Sequence, residues 1–147
     1  MEYFLKDINL GKFLHAEKSF YLIKRKDILN FIKEEFDSKK IIIIYSPIGY
    51  GKTNLCYQII DELKERDIKF IYYHINEDDK KFHSFFNHLI YGINQLLPNF
   101  GLYILELLKK TSHFKLIINT FFNEIIYKIK IDFVFIFDDV DIIQNEN

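Results

Sequence analysis

A chain of 147 residues with 20 basic and 21 acidic side chains and a net charge of −1 is one domain or part of one, and its balance gives no global electrostatic case for nucleic acid or an acidic membrane surface. A hydrophobic content of 49% and an aromatic content of 18% supply ample material for a core. The single cysteine, Cys56, rules out a disulfide within the chain, and nothing suggests an oxidising compartment.

Charge comes too early in Met1 to Asp7 for a signal peptide, and no stretch reaches the roughly 18 apolar residues that span a bilayer. The expected location is therefore the cytoplasm, with no membrane partner. Residues 1–22 have mixed polarity and weak periodicity and are expected to form an irregular leader. Lys24, Arg25 and Lys26 make a local basic patch. From Arg25 to Phe36, apolar residues at Ile28, Leu29, Ile32 and Phe36 fall at helical spacing. Asp37 to Lys40 ends that helix. Ile41 to Tyr45, four isoleucines and a tyrosine, then reads as a buried strand.

Ser46-Pro47-Ile48-Gly49-Tyr50-Gly51-Lys52-Thr53 follows that run and precedes helix-like spacing over Asn54 to Glu65. Strand, glycine-rich loop, then Lys-Thr opening a helix is the context a phosphate-binding loop requires. Gly49 and Gly51 permit backbone conformations closed to other residues and a close approach to ligand. The loop N–H groups and the helix N-terminus together suit anionic oxygens. Lys52 is expected to reach the β- and γ-phosphates, and the Thr53 hydroxyl to ligate Mg²⁺. Ser46 stands where the motif G-x-x-x-x-G-K-[ST] has its leading glycine. Cys56, in the first turns of the helix, is expected to be a small buried apolar residue.

Lys69 to Ile75 is the second predicted strand, and it completes a strand-helix-strand unit with implied parallel pairing. Asn76-Glu77-Asp78-Asp79 lies at its carboxyl end, where open α/β sheets bind ligands; a solvated turn and helix cap is the blander expectation for each carboxylate. Phe82, Phe85, Phe86, Leu89, Ile90, Ile93, Leu96 and Leu97 predict a long helix, with His83 and His88 off its stripe and exposed. Neither histidine has a Cys or His partner at metal-ligand spacing, so no metal site is expected there. Pro98 to Gly101 breaks the chain. A short helix over Leu102 to Lys110 and another over about Phe114 to Lys130 follow, the latter with Ile117, Phe121, Ile125, Ile126 and Ile129 inward.

Ile131 to Phe137 is the third predicted strand and ends in Asp138-Asp139, the form of a Walker B segment. Asp138 is expected to hold Mg²⁺ through water, and Asp139 to orient or deprotonate an attacking water. An apolar strand ending in Asp-Asp is weak alone; about 85 residues after a phosphate loop it gains weight. Asp141 reads as a turn or cap residue.

The loop SPIGYGKT resembles the A-P-A-G-Y-G-K-T type loop of the signal-transduction ATPases with numerous domains, near the bacterial maltose-regulon activator and its large LuxR-type relatives. FVFIFDDVDIIQNEN resembles that group's L-V-L-D-D-Y-H-x-I-x-N-P-E. INEDDKKFHSFFNHLIYGINQLLPNFG and LIKRKDILNFI are similar to its stretches between and before these elements. The likeness covers about residues 20 to 147. Departures are Ser46, where relatives have Ala or Gly, Val140-Asp141 after the acidic pair, and a shorter acidic turn after the second strand.

The resemblance implies an α/β fold, a three-layer P-loop NTPase core with a parallel sheet, incomplete at its C-terminal end with three strands expected. It implies an irregular leader over 1–22 and, over 23–147, the N-terminal part of an AAA-like domain truncated after Walker B. ATP or ADP with Mg²⁺ is the implied ligand, held by Ser46 to Asn54, with Arg25 near the adenine side. Lys52 and Asp139 are the implied catalytic residues, and Thr53 and Asp138 the metal residues. The implied role is the nucleotide-binding part of a signal-responsive regulator of transcription, without direct nucleic-acid contact by this segment. Self-association or missing C-terminal domains are the expected partners. Binding is expected above turnover, since the sensor and arginine finger that the resemblance calls for are not found, and such an arginine is worth about 10³-fold or more. A phosphate-loop kinase or transferase and a non-catalytic interaction fragment stand as alternatives.

Overall fold

The computed structural model describes residues 10–13, 23–36, 38, 41–131 and 133–143. Among them are five α-helices, α1 (Lys26–Glu35), α2 (Lys52–Glu65), α3 (Phe82–Leu96), α4 (Leu102–Lys110) and α5 (Phe114–Lys128), and two strands, β1 (Lys69–His74) and β2 (Phe133–Asp138). Short 3₁₀ turns cover Leu10–Phe13, Glu77–Lys80 and Val140–Ile143. The chain divides into two compact units, one over His15–Phe70 and one joining Met1–Leu14 to Ile71–Asn147, so the boundary falls inside β1.

The sheet corrects the expected architecture. β1 and β2 pair as a two-stranded parallel sheet in a largely helical chain, and among the described residues there is no three-layer core with three parallel strands. Ile41 to Tyr45, the first predicted strand, has no strand assignment and is exposed, Ile41 at 77%, Ile43 at 85% and Tyr45 at 95%. Isoleucine-rich composition favours a pleated, half-buried surface, but a strand exists only through its ladder partner. Among the described residues that run has no such partner.

In the His15–Phe70 unit, α1 buries Leu29 and Ile32, and α2 buries Leu55, Ile59, Ile60 and Leu63, the threes and fours of a helical stripe. Ile28 and Phe31 of α1 stay on the outside. Glu62 of α2 receives Lys24 at 3.0 Å and Lys33 at 2.5 Å. The hydrogen bond from Lys33 holds its carboxyl below the ordinary value, against a burial penalty. Cys56 is buried, as a small apolar residue should be.

In the other unit, the core joins Ile71 and Tyr73 of β1 to Phe86, Ile90 and Ile93 of α3, with Ile104 of α4 and Phe121 of α5. α3 and α4 follow the predicted spans closely, and α5 ends at Lys128. Ile126 departs from expectation: it is 72% exposed. It lies nine positions after the fully buried Ile117, which at 3.6 residues per turn is about half a revolution away. His88 departs in the other direction, buried at 2%. The Leu10–Phe13 turn, expected to be irregular, packs into this core: the Phe13 and Tyr73 rings stack at 5.4 Å and 11°. α3 makes room with Gly92, where a Cβ would meet Ile71 and Phe13 side-chain carbons at 2.9 Å.

Candidate functional site

The phosphate-loop sequence forms the N-terminal approach to α2. Gly49 and Gly51 take φ of 85° and 74°, the left-handed region that other residues enter at a cost. Gly51 is the N-cap of α2, so Lys52, Thr53 and Asn54 occupy its first turn, where N–H groups lack intrahelical acceptors and the helix dipole is positive. The Lys52 ammonium folds back over the loop, donating to the Ser46 carbonyl at 2.9 Å and the Pro47 carbonyl at 3.4 Å. Tyr50 N–H closes a turn on the Pro47 carbonyl at 3.4 Å. Ile48 and Tyr50 project outward, 92% and 62% exposed.

Arg25 braces this loop. Its Nη2 donates to the Tyr50 carbonyl, and its own backbone N–H donates to Gln58 Oε1 at 3.0 Å. Gln58 in turn donates to the Ile23 carbonyl at 3.2 Å. Ser46 to Asn54 and Arg25 are thus brought together within one unit.

Asp138 and Asp139 lie in the other unit, at the carboxyl end of β2. β1 runs beside β2, and Ile75 N–H donates to the Asp138 carbonyl at 3.0 Å. Asp138 is buried at 3%. Its Oδ2 accepts from the Tyr72 hydroxyl at 3.0 Å and its Oδ1 from the Asp139 N–H at 3.2 Å. Asp139 turns the chain at φ 60° into the Val140–Ile143 turn, and its Oδ2 lies 3.5 Å from His74 Nδ1. The ligating atoms of His74, Asp138 and Asp139 all lie within 4.8 Å of one another. His74 was missed in the sequence; the available signal was a histidine closing the strand that precedes the acidic turn.

Residues 21–146 match the family model described as Nephrocystin 3, N-terminal. The chain belongs to this family. No curated protein and no solved structure matches it. The nephrocystin 3 N-terminal match takes in Arg25, the loop and both carboxylates, while Lys12 and Phe13 precede it.

A second cluster, also missed in the sequence, lies in the same unit as Asp138. Lys12, 2% exposed, donates to Asp79 Oδ2 and to Asn76 Oδ1, the latter at 2.9 Å. Asp79 also accepts from the Tyr73 hydroxyl at 2.6 Å and the Asn76 N–H at 2.9 Å, and His88 Nδ1 lies 3.2 Å from its Oδ1. Burial opposes the Asp79 charge, but the hydrogen bonds from Lys12 and Tyr73 outweigh it and hold the carboxyl below its ordinary value. Burial, with the Asp79 bond, pushes the Tyr73 hydroxyl far up. Asp79 is therefore a structural anchor of the Asn76 capping box rather than a ligand-facing carboxylate. Glu77 and Asp78 are the exposed members of that turn. Among the described residues, no helix is long and apolar enough to cross a membrane.

Proposed function

We propose that this chain is the ATP-binding module of a signal-transduction ATPase with numerous domains, in which Ser46 to Asn54 receive the phosphates of ATP or ADP. The observation that carries the reading is the loop ahead of α2: Gly49 and Gly51 in the left-handed region, with Lys52 and Thr53 opening the helix. Positive φ at alternating glycines turns backbone N–H groups toward one concavity, an anion-binding geometry. Lys52, resting on two loop carbonyls, needs only side-chain rotation to exchange them for phosphate oxygens. Arg25 supports the reading differently from the expected adenine contact, by fixing the Tyr50 carbonyl.

The donor chemistry also fits Mg²⁺. In the His15–Phe70 unit Thr53 offers a hydroxyl in the first turn of α2; in the other unit, as a set of their own, Asp138 and Asp139 offer carboxylates. When bound, the ion supplies charge neutralisation on the phosphates. A regulatory output for such a module, including control of transcription, belongs to the same proposal.

The test is ATP and ADP binding by calorimetry on the full chain, with and without Mg²⁺, repeated with Lys52→Ala. Saturable binding that weakens at least about tenfold in the variant is expected. Absence of binding in both proteins overturns the reading.

The exposed Ile41, Ile43 and Tyr45 favour one second reading, an interaction fragment that associates through this run. Light scattering after size exclusion distinguishes it: a monomer at all concentrations removes that reading.

A further inference from the structure

The ends of β1 and β2 bring an imidazole and two carboxylates to one place. We infer that His74, Asp138 and Asp139 together hold a divalent first-row transition ion, Mn²⁺ being the representative probe, through direct coordination and without nucleotide. This deepens the metal role given to Asp138 under the proposed function and rests on that reading for Asp138 alone; His74 is the added ligand, and it decides which ion is preferred.

Three observations carry it. The donor atoms lie within 4.8 Å of one another. Donors bound at about 2.0–2.2 Å to a common ion sit roughly 3–4 Å apart, so small rotations of two partly exposed side chains, His74 at 44% and Asp139 at 35%, close the set. The second observation is Asp138 itself. It is 3% exposed, and among the described residues no lysine or arginine forms an ion pair with it. Its partners are neutral, the Tyr72 hydroxyl and the Asp139 N–H. A buried carboxylate is ordinarily paired with a cation or bound to a metal. The two neutral donors leave further lone pairs free on each oxygen and fix the carboxylate as outer-shell partners fix metal ligands. The third is the donor set. One nitrogen and two oxygens are a mixed field: imidazole suits transition ions, whereas Mg²⁺ favours oxygen and retained water.

The experiment titrates the nucleotide-free full chain with Mn²⁺, reading free ion by electron paramagnetic resonance. Wild type is expected to show one saturable site. His74→Ala should weaken it at least about tenfold, while His83→Ala, an exposed histidine on α3, leaves it unchanged. Asp138→Asn should abolish the site, but that residue is buried and its variant can lose the fold. The partly exposed His74 therefore carries the comparison, with circular dichroism confirming that each variant is folded. No saturable Mn²⁺ site in wild type, or a folded His74→Ala protein within twofold of wild type, overturns the inference. ATP binding measured in parallel separates the two proposals. An intact nucleotide site without a Mn²⁺ site sinks this inference alone, and an intact Mn²⁺ site without nucleotide binding sinks the proposed function alone.

Discussion

Lys12 and Asp79, 67 positions apart in sequence, form an ion pair at 2.5 Å in which the side chains are 2% and 0% exposed. A buried pair of this kind adds little net stability over an apolar pair of the same shape, yet removing one partner strands the other. Lys12→Met leaves Asp79 buried without its lysine, with the Tyr73 hydroxyl and the Asn76 N–H still donating to it and His88 Nδ1 3.2 Å away. The expected cost is about 3–5 kcal/mol, seen as a lowered midpoint in urea denaturation of the full chain. A change below about 0.5 kcal/mol, the range of ordinary surface substitutions, would show that the Leu10–Phe13 turn is not anchored as described.

His88 makes the same cluster sensitive to acid. Burial, reinforced by the Lys12 charge, holds its imidazole below the ordinary 6.5, against the pull of Asp79. A depressed folded value means the unfolded chain binds the proton more readily. The stabilisation is then fully present above about 6.5 and is lost as pH falls through the folded value. Stability should fall between pH 7.5 and 5.5 with a slope of up to about 1.4 kcal/mol per pH unit, and His88→Gln should flatten that slope. Asp79, depressed from an ordinary 3.8, loses its contribution only at lower pH. A wild-type stability curve flat across this window would refute the assignment.

The helices were legible because local periodicity determines them, α3 above all from its phenylalanine and leucine stripe. The loop was legible because Gly49 and Gly51 sit where the backbone must turn left-handed. What failed was non-local. Ile41 to Tyr45 has strand composition, but pairing depends on a neighbour that composition does not name. His88 was expected to be exposed because polar side chains usually are, and Lys12 fell in a segment without periodicity; the Lys12–Asp79 contact, spanning 67 positions, has no local signal. His74 joined the two carboxylates through the β1–β2 register, which no spacing in the linear chain encodes.

The two loop glycines should differ when substituted. A Cβ at Gly49 meets nothing within 4 Å, whereas one at Gly51 would lie 3.1 Å from Arg25 Nη2. Both carry positive φ, so each alanine costs about 1–2 kcal/mol of backbone strain. Only Gly51→Ala also displaces the arginine that holds the Tyr50 carbonyl. Calorimetry with ADP should therefore show a larger loss of affinity for Gly51→Ala than for Gly49→Ala. Equal losses would mean that Arg25 has no part in shaping the loop.

Tyr72→Phe isolates the support beneath Asp138. The hydroxyl donates to Oδ2 at 3.0 Å, and the ring itself is buried at 4%, so phenylalanine keeps the packing and removes one donor. A buried acceptor deprived of its partner costs about 1–3 kcal/mol, more when charged. Thermal unfolding of the full chain should fall by at least that lower bound. The same substitution loosens the orientation of a metal-binding carboxylate, which for outer-shell partners costs about 10–100-fold in affinity. Mn²⁺ titration of Tyr72→Phe should then report weaker binding with unchanged stoichiometry. Unchanged stability together with unchanged Mn²⁺ affinity would show that the hydroxyl neither satisfies nor positions Asp138.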